Sequence, residues 1–314
     1  MPTPPDLPSM RQLRYFVALA DAGQYRRAAE RMGISQPSLS LQISALEERL
    51  ALRLVERRRG GTLLTPAGRE VLSRARLILS QTEDLVAQAH SLTAGVTGTL
   101  RLASTPTIGP YMLPAVVRHL HETHPGLRLI ARDGPPREVV EDLLAGQHDL
   151  IVTQLPLAAG DLSLRRLYRE PLFLAVARDH PLASRAQIGR DDLAGLDLLS
   201  LNPGYGLHDV IATLARDTGA RLQSEYEGTS LDALRQMVAM NMGATLLPAL
   251  YIRSEVAGAD ADVVAVPFRG GMTRMVGVAW RRSLGKPRLI DQFLAAADDV
   301  VATAYKGRVI QDRG

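Results

Sequence analysis

Apolar positions recur with the period of a helix three times before residue 51. Leu13, Phe16, Val17 and Ala20 fall at i, i+3, i+4 and i+7, which predicts a helix over Met10 to Ala22. Tyr25 to Met32 predicts a second, short helix, in which Ala28 and Ala29 are small enough for close packing, and Gly33 suits the left-handed turn that ends it. Ser35 is placed to cap a third helix, with Pro37 tolerated in its first turn. Leu39, Ile43, Leu46 and Leu50 form its apolar stripe, and Pro37, Ser40, Leu41 and Ser44 face the other way. The run "RLVERRRGGTLLT" then alternates on each side of a Gly-Gly turn, as a two-stranded wing does, with Arg57, Arg58 and Arg59 at its tip. Thr65 caps a long helix that has Pro66 in first position. In it Val71, Ile78, Leu85 and Leu92 repeat every seven residues, with Ala75, Thr82 and Ala89 between them. A stripe of this period calls for a partner helix, supplied by a second copy of the chain or by the chain itself.

From residue 98 the pattern changes to alternating strands and helices, as in an α/β domain with a largely parallel sheet. "TLRLAS", "LRLIAR" and "HDLIVTQ" read as strands, and "TPTIGPYMLPAVVRHLHETHP" as a loop and a helix. "PLFLAVARD" is expected to cross to a second lobe and "VVAVPFRGG" to lead back toward "MVGVAW". Two crossovers imply a hinge and a cleft.

Charge sharpens the division. Residues 1–97 hold 13 Arg/Lys against 9 Asp/Glu, whereas the remainder holds 24 of each, so the whole net charge of +4 sits in the first third. That points to a polyanionic partner for this segment. It also bears on the third helix, whose outer face carries hydroxyls, an amide at Gln36 and a bare leucine where a solvated face prefers Lys and Glu. Such groups bond base edges or phosphates, and Leu41 is suited to press on a thymine methyl. The plainer alternative is a small helical domain with a polar surface, and for the three arginines a solvated loop.

There is no cysteine, which excludes disulfides, thiolate metal sites and thiol redox chemistry. "MPTPPDLPSM" is neither basic nor followed by an apolar run, so no secretory signal is expected. No run approaches 18 apolar residues, so no membrane span is expected either. His119, His121 and His124 lack a paired acidic ligand and read as an exposed helix end, and no metal or other cofactor is expected. Five of the nine methionines fall between Met237 and Met275. They read as core, with oxidation sensing as the sharper alternative. No nucleophile–base pair or phosphate loop argues for an enzyme.

The run "LRYFVALADAGQYRRAAERMGISQPSLSLQISALEERL…LVERRR…LTPAGRE" resembles the N-terminal winged helix–turn–helix of LysR-type transcriptional regulators. "TLRLASTPTIGPYMLP", "LLAGQHDLIV", "PLFLAVARDHPLA", "SLDALRQMVAMNMGATLLPAL" and "VGVAW" resemble, in order, the landmarks of that family's effector domain. The resemblance implies an all-α winged helix–turn–helix over residues 1–65 and a linker and dimerisation helix over 66–95. After them comes an α/β effector domain over 96–305, with the two-lobed fold of a periplasmic solute-binding protein. Lobe I is expected over 96–167 and 272–305, and lobe II over 168–271. It further implies a cytoplasmic homodimer or homotetramer that binds double-stranded DNA and a small-molecule effector, with RNA polymerase as a further candidate partner. Gln36, Pro37 and Ser40 match the family's base-contacting positions and Arg57 a wing arginine. Leu41 stands where many members have arginine, and Gly60 where a wing arginine is common, with Arg58 and Arg59 nearby as substitutes.

Ser104, Thr105 and Thr107 lie beyond the carboxyl end of the first effector-domain strand, where hydroxyls and free backbone N–H groups make a small-anion site. Ordinary helix capping is the plainer alternative. The resemblance adds Gln154 and Thr229 at matching places on later loops, and sets Pro136 where the family often has Ser or Thr. Within the family the scaffold resembles that of the OxyR subfamily of peroxide sensors. In "LNPGYGLHD" the residues at that subfamily's reactive cysteine and the histidine before it are Gly206 and Tyr205, and Ala215 stands at the resolving position. Disulfide switching is therefore excluded. The expectation is a sequence-specific DNA-binding regulator, not an enzyme, controlled by a small organic anion in the cleft around Ser104, Thr105, Thr107, Gln154, Tyr205 and Thr229. An oxidant response without cysteine and a solute-binding protein are the alternatives.

Overall fold

In a computed structural model, which describes residues 7–58, 61–94, 98–157, 160–223, 228–256, 261–285 and 287–312, the chain divides into two units. One comprises residues 1–95 with 144–147, the other residues 96–143 and 148–314.

The first unit opens on α1 (Met10–Ala22). The Ser9 hydroxyl accepts from the Gln12 N–H at 3.2 Å, and the Gln12 side chain accepts from the Ser9 N–H at 3.0 Å, so two orphan donors of the helix start are satisfied. Gln12 is itself buried and also accepts from Arg49 at 2.8 Å, a polar tie across the domain that apolar periodicity does not reveal. Gly23 ends α1 and Gly33 ends α2 (Tyr25–Met32), both in the left-handed region. Helix α3 (Gln36–Leu50) is capped by Ser35, whose hydroxyl accepts from the Ser38 N–H. Leu39, Ile43 and Leu46 are buried against Phe16, Leu19, Ala28 and Ala29. Strands β1 (Val55–Arg58) and β2 (Gly61–Leu64) pair antiparallel, Val55 opposite Leu64 and Arg58 opposite Gly61. Glu47 holds the wing's base: its buried carboxylate accepts from the N–H groups of Leu54 at 2.7 Å and Val55 at 3.2 Å. Helix α4 (Pro66–Ala94) starts where the Thr65 hydroxyl accepts from the Gly68 N–H. A Cβ at Gly68 would stand 2.1 Å from the Leu54 carbonyl oxygen, so the wing and the helix start touch through that glycine. Early in α4, Leu72 and Ala75 enter this core, while Ile78, Leu85 and Val86 are exposed in the single chain. The side chains of Ala89 and Leu92 lie outside the described residues.

The second unit runs β3 (Gly98–Ser104), α5 (Gly109–Thr123), β4 (Leu127–Asp133), α6 (Pro136–Leu144), β5 (Leu150–Leu155) and β6 (Leu162–Ala177). Then come β7 (Asp197–Leu198), α7 (Gly206–Thr218), β8 (Arg221–Leu222), α8 (Leu231–Ala239), β9 (Thr245–Pro248) and α9 (Ala249–Tyr251). Strands β10 (Val263–Pro267) and β11 (Thr273–Arg281), α10 (Arg288–Thr303) and β12 (Ile310–Gln311) complete it. The main sheet has the order β10-β6-β11-β5-β3-β4. A largely parallel sheet was the expectation from alternation, and it needs correction. β3 is parallel to β4 and β5, but β6 and β11 pair antiparallel with each other, β11 also with β5, and β6 also with β9, β10 and β12. Antiparallel pairing follows because β6 and β11 carry the chain in opposite directions between the lobes.

Each lobe has its own core. In lobe I, α5 and α10 cover β3, β5 and β11 through Leu102, Met112, Val116, Val152, Val278, Phe293 and Ala297. In lobe II, Leu174, Val176, Leu207, Ile211, Leu234, Leu246 and Val266 pack together. The 16 residues of β6 serve both: Leu167 and Tyr168 lie in the lobe I core and Leu172 onward in that of lobe II.

Candidate functional site

On α3 the residues opposite the buried stripe stand outward. Gln36, Pro37 and Ser44 are exposed, Ser40 is half-buried, and Leu41 is 71% exposed. A single exposed leucine is ordinary on a protein surface, but between the hydroxyls of Ser40 and Ser44 it leaves the centre of this face uncharged. On the wing, Arg58 is exposed and lies 3.6 Å from Glu56. Arg59 and the side chain of Arg57 lie outside the described residues. Exposed Leu63 on β2 adds a second apolar position to the wing.

In the second unit the expected effector residues fall into two groups. Ser104, Thr105 and Thr107 are buried where β3 ends and α5 begins. This place was expected to offer hydroxyls and free N–H groups to an anion, and among the described residues several of these groups have partners within the chain. The N–H groups of Ile108 and Gly109 both donate to the Thr105 carbonyl, those of Tyr111 and Met112 to the Ile108 carbonyl, and residue 110 is proline. The Ser104 hydroxyl donates to Asp133 at 2.6 Å, and the same carboxylate oxygen lies 2.6 Å from where a Cβ of Gly109 would be. The chain's own anion thus occupies the start of α5. Thr107 is engaged too: Arg274 donates to its hydroxyl at 3.2 Å and to its carbonyl at 2.7 Å. Of the three, Thr105 has a buried hydroxyl with no hydrogen-bond partner among the described residues.

Arg274 was not anticipated. It is fully buried with Glu170, its Nε donating to Oε2 at 2.9 Å and a terminal nitrogen lying 2.8 Å from the same atom, while Oε1 accepts from the Leu250 N–H at 2.9 Å. Two charges inside apolar strands, "YREPLFLAV" and "TRMVGVAW", were the available signal, since a buried charge persists only when paired.

The second group faces lobe I from lobe II. The Tyr205 hydroxyl is buried and has no hydrogen-bond partner of normal geometry among the described residues. Burial raises its phenol above the ordinary value, and the adjacent Thr229 side chain opposes that rise. Gly206 follows as the first residue of α7, whose preceding residue supplies no capping side chain. His208 and Asp209 donate to the Tyr205 carbonyl, so the N–H groups of Gly206 and Leu207 are the ones left without an acceptor among the described residues. A Cβ at Gly206 would lie 2.8 Å from the Gln154 amide, so the Gln154 side chain fills the space that a larger residue would need. Gln154 and Gly206 line a cavity of about 580 Å³ with Leu155, Pro156, Val210, Leu214, Met272 and Met275 as its apolar wall. Its polar wall is Arg190, Asp209, Thr213, Thr273 and Arg274, with Arg190 lying 3.3 Å from Asp217. Of the expected effector residues, Gln154 lines this cavity.

Comparison with known proteins gives the chain its place. Residues 10–69 match the model of the bacterial regulatory helix-turn-helix protein, lysR family, and residues 93–302 that of the LysR substrate binding domain. The chain is 36% identical over 273 residues to the DNA-binding transcriptional dual regulator OxyR of Escherichia coli, covering 87% of this chain and 89% of that protein. It is 30% identical over 299 residues to the HTH-type transcriptional regulator EstR of Acinetobacter baylyi, covering 95% and 99%. A full-length OxyR variant from Pseudomonas aeruginosa has a TM-score of 0.77 at 28% identity, over 93% of this chain and 98% of that one. With a helix–turn–helix ahead of a two-lobed, periplasmic-binding-protein-like effector domain, the chain belongs to the LysR family of DNA-binding transcriptional regulators, which are not enzymes.

Proposed function

We propose that this regulator answers, without any thiol, to a small organic monoanion seated in the cavity between the lobes, its charged end at the start of α7. The wall at Gly206 carries the reading. There an uncapped helix N-terminus keeps two N–H groups open, a glycine removes the Cβ that would cover them, and the Gln154 amide lies alongside. Such a terminus favours negative charge. Asp209, in the first turn and in the same wall, disfavours a second negative charge on the ligand. Thr105, Tyr205 and Thr229 are the further hydroxyls of the cleft on this reading, while Ser104 and Thr107 hold Asp133 and Arg274 in place. In this proposal α3 reads DNA through Gln36, Pro37, Ser40 and Leu41, the wing arginines Arg57, Arg58 and Arg59 contact phosphate, and α4 joins two copies in the cytoplasm.

The test is a panel of small mono- and dicarboxylates with the full chain, read by melting temperature and by gel shift on the DNA upstream of its own gene. A monocarboxylate is expected to raise the melting temperature and to change the gel shift equally with and without reductant. Gln154→Ala should weaken that effect about tenfold, as loss of one charge-assisted hydrogen bond implies. The reading fails if dilute hydrogen peroxide switches DNA binding and no carboxylate stabilises the protein. Met272 and Met275 in the cavity wall favour a second reading, oxidation of thioethers to sulfoxides. It requires a peroxide response that Met272→Leu with Met275→Leu removes.

A further inference from the structure

The cavity beside Gly206 is longer than a carboxylate group needs. From α7 it is lined by Gly206, Asp209, Val210, Thr213 and Leu214, which recur at i, i+3, i+4, i+7 and i+8 and so form one face of the helix. From Gly206 to Leu214 that face extends about 12 Å at the helical rise. The opposing wall comes from the end of β5 and the start of β11. Leu155 pairs with Met275 there, and Pro156 and Met272 continue the wall beyond the paired residues. The two ends of the cavity differ. At one is the open start of α7 with the Gln154 amide alongside. Toward the other is Arg190, 3.3 Å from Asp217 in the last turn of α7, and Thr213, whose hydroxyl accepts from Arg216 at 3.2 Å.

Between these ends the wall is apolar and unfinished. Leu214 is buried, but Leu155, Val210, Met272 and Met275 are each only half-buried. One such residue on a surface is ordinary, whereas four that converge on a single concave wall mark a place where apolar area is left to be covered. A ligand with an apolar body gains there, because contact removes its own surface and that of the wall from water together. Two of the four are methionines, unbranched and adaptable, which suit a flexible chain better than a rigid shape. Charge limits the rest of the ligand. Arg274 and Arg190 are each paired with a carboxylate of the chain, so neither offers an uncompensated positive charge to a second anionic group.

We infer that the ligand is an elongated monocarboxylate whose unbranched apolar chain lies along α7 between Val210 and the two methionines, and that Thr213 sets its length. An extended chain advances roughly 1.2 Å per bond, so the stretch from Gly206 to Thr213 takes an acid of about eight carbons. A shorter acid leaves part of the wall in water, and a longer one brings methylenes against Thr213 and the Arg190–Asp217 pair, where they gain nothing. The charged end of this ligand rests on the site proposed above at Gly206. Its body rests on the wall along α7 alone.

The test titrates the full chain calorimetrically with linear alkanoates from propanoate to dodecanoate, each beside its matching alkanol and below the concentration at which it forms micelles. Affinity should rise about fourfold for each added methylene, as burial of one implies, up to octanoate and then level off. Thr213 is exposed, so Thr213→Phe should fold normally and narrow the far end of the cavity. It should weaken octanoate about tenfold, the equivalent of one or two methylenes displaced, and leave pentanoate unchanged. Equal affinity for propanoate and octanoate, or a length dependence that Thr213→Phe leaves intact, would overturn the inference and spare a carboxylate site at Gly206. Alkanols that bind as tightly as the acids with the same length dependence would remove the carboxylate and support the apolar body. Absence of binding in both series removes both.

Discussion

Leu39 and Leu41 differ by two positions on α3, yet one is buried and the other is 71% exposed. The helix turns about 200° between them, so an apolar residue at 41 gains nothing from the fold. On the proposed reading it gains from a base edge instead. Gln36→Ala is expected to cost about 1–3 kcal/mol at a specific site and to leave non-specific binding nearly intact. Equal losses on specific and unrelated DNA in a titration would contradict base reading by this residue. Arg58 is expected to act through charge alone. Its 3.6 Å approach to Glu56 is between two exposed groups and holds it weakly. Replacing it by alanine should lower affinity for every sequence and reduce the slope of log K against log salt by about one. An unchanged slope removes phosphate contact from its role.

Among the elements, α4 shows how one helix divides its apolar residues. Leu72 and Ala75 are spent on the helix–turn–helix core, whereas Ile78, Leu85 and Val86 are exposed among the described residues. The seven-residue repeat suits a second copy of the helix. Ile78→Asp with Leu85→Asp is expected to give monomers that bind a two-fold DNA site no better than a half-site. Dimers persisting at about micromolar concentration in ultracentrifugation, some 8 kcal/mol of association, would exclude this seam. Helices α5 and α7 make the complementary point. Both begin at lobe edges facing the cleft, but α5 is closed by Asp133, Pro110 and its own carbonyls, while α7 is left open at a glycine. Which helix start accepts a ligand is decided by the side chains around it.

For the whole molecule, β6 and β11 cross between the lobe cores with a buried ion pair joining them. Arg274 connects β11 to β6 through Glu170 and to the start of α5 through Thr107. Removing one member leaves the other charged and buried, which typically costs about 3–5 kcal/mol. Arg274→Met should therefore lower the melting temperature of the effector domain markedly, and Arg274→Met with Glu170→Met should recover much of the loss. A double variant as unstable as the single one in calorimetry would show that the pair acts through specific hydrogen bonds to Thr107 and Leu250, and not through charge burial.

The sequence by itself determined the helices of the first unit, the helix–turn–helix with its outward polar face, the wing, the first strands of the second unit and the absence of thiol chemistry. Each of these rests on local periodicity, on capping residues within three or four positions, or on composition, and none needs a distant partner. The tertiary structure alone decided the mixed sheet, because β6 and β11 become neighbours across about 100 residues of intervening chain. It also decided the fate of the cleft residues. Ser104 looked available until Asp133, 29 positions away, was placed against it, and Thr107 until Arg274, 167 positions away, reached it. Hydroxyls are cheap to read in a sequence, but whether they face a ligand or a partner of their own depends on contacts that only the folded chain creates.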